Sequence, residues 1–114
     1  MVLPVHNGAA TLERAIASVG AQSRTDWELV VVDDGSTDDT PEILARWQRK
    51  DPRVRSQRLP RQGIVAALNA GLAVARAPLI ARMDADDVSH PQRLATQSAF
   101  LGAPENSAIG LVGC

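Results

Sequence analysis

The feature that most constrains this sequence is the run WELVVVD, Trp27–Asp33, in which four apolar residues follow one another without a polar interruption. A strand with one solvent-exposed face would alternate apolar and polar residues, so this run predicts a strand that is covered on both faces. Such strands are typical of parallel sheets, because the crossover helices pack against both sides. The run therefore favours an α/β fold.

Helix and strand patterns alternate along the rest of the chain. Further strands are predicted in MVLPV (1–5), RVRSQRL (53–59), LIARM (79–83) and AIGLVG (108–113). Helices are predicted over Thr11–Ala21, Pro41–Lys50, Gly63–Ala77 and Pro91–Leu101. We expect Thr40 to cap the second helix, and Ser89 with Gln92 to form a capping box before the fourth. The alternation predicts a mainly parallel sheet with helices on both faces and right-handed crossovers.

The size and charge of the chain exclude several classes of protein. A length of 114 residues suits one domain, and a net charge of −1 creates no field that would attract nucleic acid or an anionic membrane. The single cysteine, Cys114, excludes an intrachain disulfide and fits a reducing compartment. No apolar run is long enough for a membrane span, so we expect a soluble, cytoplasmic protein. The run IGLVGC resembles the beginning of a strand, from which we expect the sequence to be part of a longer polypeptide.

Polar motifs follow three of the predicted strands. They are HNG (6–8), DDGSTDD (33–39) and DADD (84–87). Ligands of open α/β sheets bind beyond the carboxyl ends of the strands, where these motifs would lie together. The sequence therefore predicts that the functional site occupies this edge of the sheet.

The DADD motif places Asp84 and Asp86 two positions apart at the end of a strand. Residues at that spacing point to the same side, and Ala85 keeps the space between them small. Carboxylate oxygens suit Mg²⁺ or Mn²⁺, which often bind one or two carboxylates and complete the shell with phosphate and water. The alternative is a solvated loop that caps the next helix, although Ser89 already serves as a cap. Asp87 is the member of the cluster that we expect to be structural.

Asp33 and Asp34 follow the strongest predicted strand. A carboxylate at this position could accept hydrogen bonds from a base or a ribose. The alternative is an Asx turn in which Gly35 adopts a positive φ. Two adjacent aspartates leave room for both roles, and the later pair, Asp38 and Asp39, is expected to serve the N-terminus of the following helix.

The remaining polar groups give weaker indications. The segment HNGAAT could present backbone N–H groups to a phosphate, but with a single glycine a plain turn is the preferred interpretation. His6 and His90 belong to no His/Cys cluster, and neither is expected to bind a metal. Arg82 lies within a predicted strand, where an ion pair with a nearby carboxylate is expected.

Four segments together resemble a known family. VLPVHNGAATLERAIASVGAQ, WELVVVDDGSTDDT, GIVAALNAGLAVARAPLIARMDADD and HPQRLATQSAFL are similar, in order and spacing, to the N-terminal half of family 2 glycosyltransferases with the GT-A fold. The similarity covers nearly the whole chain, and the pairing of VVDDGSTD with a later DADD is more specific than either motif alone.

The resemblance implies a binding site for a nucleoside diphosphate sugar. The residues that it assigns to this ligand are Pro4, Val5, Asn7, Asp34, Asp84, Ala85 and Asp86. Asp34 would bind the uracil or other base, and Asp84 would lie near the ribose. Asp86, together with Asp84, would hold the Mg²⁺ or Mn²⁺ that bridges the diphosphate. The cation would also stabilise the charge that grows on the leaving nucleoside diphosphate.

The resemblance also implies a reaction, namely inversion at the anomeric carbon by direct displacement with a carboxylate base. That base is expected beyond residue 114, so the chain alone is expected to be inactive. The donor would be a UDP-sugar and the acceptor a glycan or lipid-linked molecule of the cell envelope. Leu68 departs from the family pattern, since many relatives carry arginine there. An exposed sheet edge would favour a homodimer.

Three other functions are alternatives to a glycosyltransferase. A non-catalytic nucleotide-binding or regulatory module would keep the donor site without performing transfer. A phosphoacceptor receiver domain requires a lysine at the end of a later strand, whereas the only lysine, Lys50, closes a predicted helix. A dinucleotide-binding dehydrogenase would carry G-x-G-x-x-G after the first strand, and this sequence has none there.

Overall fold

The structure is a computed structural model that describes residues 1–113. Its elements are β1 (Val2–Val5), α1 (Leu12–Gly20), β2 (Leu29–Asp34), α2 (Thr40–Lys50), β3 (Val54–Leu59), α3 (Ile64–Val74), α4 (Arg93–Gly102) and a 3₁₀ helix (Pro104–Asn106). The first three strands and the four helices that the sequence predicts are therefore present. Cys114, and with it the expectation about disulfides, lies outside the described residues.

The three strands form a parallel sheet in the order β1-β2-β3. Val2 pairs with Val30 at one end of the β1–β2 ladder, and Val5 pairs with Asp33 at the other. The central strand β2 is buried along its whole length, which confirms that both of its faces are covered. The outer strand β3 is less buried, as its weak alternation predicts.

The two faces of the sheet carry different helices. On one face, Leu3 and Val31 pack with α1 and α2 in the larger core. On the other face, Val30 and Val32 pack against Ala67 of α3. Successive strand residues point to opposite faces, so one apolar run supplies both cores. The prediction of helices on both faces of a parallel sheet is confirmed.

The predicted strand LIARM is reduced to an isolated parallel bridge between Val2 and Arg82. Val2 donates its N–H to the carbonyl of Ala81 at 2.8 Å, and Met83 donates to the carbonyl of Val2 at 3.1 Å. The next bond of a parallel ladder would need a backbone N–H from Pro4, which proline lacks. The full strand was therefore a wrong prediction, although the segment lies beside β1 as expected.

The predicted strand AIGLVG is absent from the described residues. The chain forms the 3₁₀ helix and a turn at 104–108, and 109–113 has no regular structure. The side chain of Leu111 is 88% exposed. A strand requires an edge with which to pair, and no described segment pairs with this one.

Two predicted helix caps are also wrong. Thr40 is the first residue of α2 rather than its cap, and its hydroxyl accepts a hydrogen bond from the N–H of Gly8 at 3.0 Å. Ser89 is buried and bonds elsewhere, and α4 begins after Gln92 without a side-chain cap. In both cases a partner distant in the sequence takes the hydroxyl that the local motif would use. Within residues 1–113, no helix combines the length and apolarity that crossing a bilayer requires.

Candidate functional site

The polar loops meet at the carboxyl edge of the sheet, as predicted. The ring of His6 contacts the carbonyl oxygen of Asp34 at 2.8 Å, which joins the loops after β1 and β2. A methyl group placed on Gly8 would lie 3.6 Å from the Cβ of Ala85, which brings the DADD turn to the same place. Gly35 has φ +67°, and a Cβ at this position would lie 2.9 Å from the backbone nitrogen of Arg61, in the loop after β3.

The loop after β1 is held by side chains of the loop after β2. The backbone N–H groups of residues 7–9 donate, in order, to the hydroxyl of Ser36 at 2.9 Å, the hydroxyl of Thr40 at 3.0 Å and the carboxylate of Asp38 at 2.9 Å. These three donors are therefore satisfied within the protein and are not free to bind a phosphate. The plain turn, which the sequence favoured, is the correct interpretation.

Asn7 joins the same two loops through its side chain. Its backbone adopts φ +52°, a left-handed conformation that asparagine tolerates better than most residues. Its Oδ1 accepts a hydrogen bond from the N–H of Thr37 at 2.8 Å, and the residue is exposed. By contrast, Val5 is 4% exposed and packs in the larger core, and Pro4 is also buried.

Asp38 serves the beginning of α2, as expected. Its Oδ1 accepts the N–H of Thr40 at 3.0 Å, and its Oδ2 accepts the N–H of Ala9. Hydrogen bonds lower the pKa of this carboxyl, first the one from the Thr40 side chain and then those from backbone N–H groups. Asp38 therefore stays ionised and holds the two loops together.

Asp33 has the structural role that the Asx-turn alternative describes. It is buried, and its Oδ1 accepts the N–H of Ser36 at 2.9 Å. Its Oδ2 faces the guanidinium of Arg58 at 3.6 Å, too long for a hydrogen bond but within range of an ion pair. Arg58 also donates to the carbonyl of Ser36 at 2.8 Å, so a side chain of β3 stabilises the turn after β2.

Asp34 lies at the centre of this edge and has a role that the sequence did not reveal. Its Oδ1 accepts the N–H of Gln62 at 2.7 Å, and its Oδ2 accepts the N–H of Gly63 at 2.8 Å. The bond from Gln62 contributes most to lowering the pKa of this carboxyl. The carboxylate thus supports the entry into α3, and each oxygen keeps a second lone pair for another donor.

Both ring nitrogens of His6 are engaged by protein groups. Nδ1 lies 2.8 Å from the carbonyl oxygen of Asp34, and Nε2 contacts the guanidinium of Arg61. His90 is exposed, and its Nδ1 accepts the N–H of Gln92 at 3.2 Å.

The DADD segment forms a turn surrounded by arginines. Arg82 donates to the Oδ1 of Asp84 at 2.7 Å, which confirms the expected ion pair. Arg14 donates to the carbonyl of Asp86 at 3.4 Å, and the N–H of Asp87 bonds to the carbonyl of Asp84 at 3.2 Å. The side chain of Asp84 is 42% exposed and Asp86 is exposed, so solvent reaches both carboxylates.

These donors fit a cation that arrives with its own ligands. Within residues 1–113, no group of three or more His, Cys, Asp or Glu side chains is placed to hold a metal ion. Mg²⁺ commonly binds to one or two carboxylates and takes its remaining ligands from substrate phosphates and water, which matches Asp84 and Asp86. Arg82 occupies one of the oxygens that such a cation would use.

A groove with a volume of about 890 Å³ lies beside β1. Its apolar lining comes mainly from Leu68, Leu72, Leu79, Ile80 and Leu111. It reaches the acidic turn only at Asp84 and Asp87, and none of the residues of the HNG and DDGSTDD loops lines it. The convergence of polar loops, rather than cavity size, therefore defines the candidate site.

The parallel sheet with acidic turns at its carboxyl edge places the chain among the α/β domains, and solved structures identify its fold as GT-A. Mannosyltransferase PcManGT from Pyrobaculum calidifontis, solved with GDP-Man and Mn²⁺, superimposes with a TM-score of 0.83 at 29% identity. The match covers 90% of this chain and 32% of that one. TarS 1-349 of S. aureus, in complex with UDP-GlcNAc, gives 0.81 at 26% identity over 88% of this chain and 30% of its own.

The chain belongs to glycosyl transferase family 2, whose sequence model matches residues 1–112. Succinoglycan biosynthesis protein ExoO of Rhizobium meliloti is 46% identical over 94 residues, which cover 82% of this chain and 26% of that protein. The chain thus spans about a quarter of the length of this curated relative. The family resemblance and the fold predicted from the sequence are both confirmed.

Proposed function

We propose that this chain forms the donor-binding part of a glycosyltransferase that takes a sugar from a nucleoside diphosphate, with a UDP-sugar as the first candidate. Family membership and the fold support this assignment. So do related structures that were solved in complex with UDP-GlcNAc in one case and GDP-Man in another. The observation that carries the proposal is that the DDGSTDD loop and the DADD turn meet at one edge. The ring of His6 contacts Asp34, and the Cβ of Ala85 lies 3.6 Å from the position that a methyl group on Gly8 would take.

The nucleoside is assigned to the end of β1 and to Asp34. Asp34 is anchored by two backbone N–H groups, so its carboxylate is held in a fixed orientation and can still accept a donor from the base. Asn7 is exposed beside it, and its side chain is held by Thr37. Pro4 and Val5 are buried, so they would contact a nucleoside through the main chain at the end of the strand.

Asp84 and Asp86 are assigned to a Mg²⁺ or Mn²⁺ ion, with Ala85 as the small residue between them. The cation, when bound, would neutralise the diphosphate and stabilise the leaving group. The chain's own contribution is to hold two carboxylates on a short turn, with Arg82 balancing the charge of Asp84 when no cation is bound. Because Asp86 is exposed, its carboxylate is accessible to a ligand from solvent.

The finer properties of the reaction follow the family resemblance. The reaction would invert the anomeric carbon, and the acceptor would be a glycan or a lipid-linked molecule. The protein would act in the cytoplasm, with nucleoside diphosphate sugars as substrates. A homodimer formed through an exposed edge of the sheet is also proposed. The name of ExoO, a succinoglycan biosynthesis protein, supports an acceptor in polysaccharide assembly.

The proposal is tested by calorimetric titration of UDP and GDP with and without Mn²⁺, on the wild type and on Asp86→Ala. We expect binding that requires Mn²⁺ in the wild type and a loss of at least about ten-fold in the variant. Glu42→Ala, which removes an exposed carboxylate of α2 outside both acidic motifs, is the matched control and should bind like the wild type. Equal binding by wild type and Asp86→Ala would remove Asp86 from the metal site.

A further inference from the structure

A buried polar network lies behind the DADD turn and centres on Gln22, the second residue after α1. Gln22 is 5% exposed. Its Nε2 donates to the carbonyl of His90 at 2.7 Å and to the hydroxyl of Ser89 at 3.1 Å. Its Oε1 accepts the N–H of Leu94 at 3.0 Å. One side chain thus binds three groups that lie about seventy positions further along the chain.

The chemistry of these partners defines the orientation of the amide. The carbonyl of His90 can only accept a hydrogen bond, so it must face the NH₂ group of Gln22. The backbone N–H of Leu94 can only donate, so it must face the amide oxygen. A residue that lacks either the donor or the acceptor would leave a buried backbone group without a partner, which is costly.

Further bonds join the same two segments. The N–H of Ser89 donates to the hydroxyl of Ser18 at 2.9 Å, and the N–H of Ser23 donates to the carbonyl of Pro91 at 2.8 Å. Leu94 lies in the first turn of α4, which has no side-chain cap of its own. The amide of Gln22 therefore satisfies an N–H at the beginning of α4 that a local cap would otherwise have to satisfy.

The acidic turn lies between this network and the sheet. On its N-terminal side, Met83 is 2% exposed and bonds to β1. On its C-terminal side, Ser89 is 5% exposed and bonds to Gln22 and Ser18. Only residues 84–88 separate the two anchors. The positions of Asp84 and Asp86 therefore depend on both anchors rather than on the turn alone.

We propose that Gln22 is a positioning residue for the metal-binding carboxylates: by holding Ser89, His90 and Leu94 it sets the geometry of Asp84 and Asp86. This inference rests on the proposed function of the DADD turn. Mg²⁺ demands near-ideal octahedral geometry, and supporting residues around a metal site commonly affect metal affinity. The nucleoside end of the site, at Asp34, is built from β2 and the start of α3 and does not depend on Gln22.

The test uses Gln22→Met, which keeps the approximate length of the side chain and removes the amide. Mn²⁺ is titrated into the 114-residue chain at saturating UDP, and UDP is titrated separately at saturating Mn²⁺. We expect the affinity for Mn²⁺ to fall about ten-fold, while the affinity for UDP at saturating Mn²⁺ stays within about two-fold of the wild type. Val19→Ala, a buried α1 variant outside the network, should lower thermal stability and leave the Mn²⁺ affinity unchanged.

The outcomes separate the two proposals. A wild type without metal-dependent UDP binding overturns both the proposed function and the role of Gln22. A wild type that binds Mn²⁺ with UDP, together with a folded Gln22→Met of equal Mn²⁺ affinity, overturns the role of Gln22 alone. If Gln22→Met does not fold, Ser89→Ala decides, because it removes one hydroxyl of the network. An affinity for Mn²⁺ lowered about two-fold or more supports the proposal, and an unchanged one overturns it.

Discussion

Asp34 and Gly63 are joined by a hydrogen bond of 2.8 Å, from the N–H of the glycine to Oδ2 of the carboxylate. Gly63 has φ +93° and lies immediately before α3, whereas Asp34 is the last residue of β2. The bond therefore ties the centre of the candidate site to the entry of the helix that covers the second face of the sheet. A residue assigned to ligand binding is at the same time part of the folded framework.

The first prediction concerns the pH dependence of this contact. The N–H of Gln62, foremost among several groups, lowers the pKa of Asp34, so the folded state favours the ionised carboxylate. The resulting stabilisation is complete above the ordinary value of 3.8 and is lost as the pH falls through the lowered folded pKa. Asp34→Asn should therefore lower the melting temperature by roughly 5 °C near neutral pH.

The same variant should lie closer to the wild type in acid. Once the pH lies below both the ordinary value of 3.8 and the lowered folded pKa of Asp34, the charge contribution is gone and the difference in melting temperature should shrink. Thermal denaturation followed by circular dichroism at the two pH values measures this. A difference that is constant with pH would mean that the ionised form of Asp34 does not stabilise the fold.

The second prediction concerns the close packing of α3 on the sheet. A Cβ on Gly71 would lie 2.4 Å from Cγ1 of Val2 and 3.2 Å from Cγ2 of Val32. Gly71→Ala should therefore lower the free energy of unfolding by about 1–3 kcal/mol, because the helix must move off the sheet. Gly20→Ala in α1, where a Cβ would meet nothing within 4 Å, is the control and should be neutral or stabilising. Urea denaturation compares the two.

The third prediction separates the two roles of Asn7, its left-handed backbone and its bond to Thr37. Asn7→Gly keeps the backbone conformation and loses the side-chain bond, at a cost of about 0.5–1.5 kcal/mol. Asn7→Ala loses the same bond and keeps a Cβ, which disfavours this φ, so it should be about 1–2 kcal/mol less stable than Asn7→Gly. Denaturant unfolding should rank the stabilities as wild type, then Gly, then Ala. The reverse order of the two variants would show that the conformation carries no strain.

The fourth prediction concerns Arg82, whose guanidinium forms an ion pair with the Oδ1 of Asp84. Removing this guanidinium frees an oxygen for a cation, so Arg82→Gln should bind Mn²⁺ without nucleotide about two- to five-fold more tightly, the range expected for a surface ion pair. Arg14→Gln removes the same charge beside the turn but contacts only a carbonyl of Asp86. Equal effects of the two variants, measured by calorimetry, would indicate general electrostatics rather than competition for Asp84.

Much of the fold could be predicted because its signals are local. The apolar run of β2 indicates burial on both faces, and helical spacing of apolar residues indicates α1. Proline and capping signals and Ala/Leu composition indicate α2 to α4 within a few positions of their observed bounds. The clustering of HNG, DDGSTDD and DADD at one edge followed from parallel topology alone. The Arg82–Asp84 ion pair was predictable because the two residues are near each other in sequence.

The errors share one cause, which is that local patterns do not identify distant partners. Thr40 and Ser89 have the sequence context of caps, yet Gly8 and Gln22 take their hydroxyls. The segment LIARM has the composition of a strand, but its ladder stops where the neighbouring strand presents Pro4. Gln22 itself carries no local signal, since its partners lie far along the chain.

Hydrophobic periodicity and strand polarity are properties of contiguous residues. They were therefore enough to predict the parallel α/β architecture, the family and the edge at which the acidic motifs lie. Which polar groups remain free for a ligand became clear only from the folded arrangement. The N–H groups of residues 7–9 are consumed by the neighbouring loop, and Asp34 supports a helix while keeping lone pairs available. Loops that are distant in sequence but adjacent in the fold bind to each other's donors and acceptors, so the groups that remain free can be identified only in the folded chain.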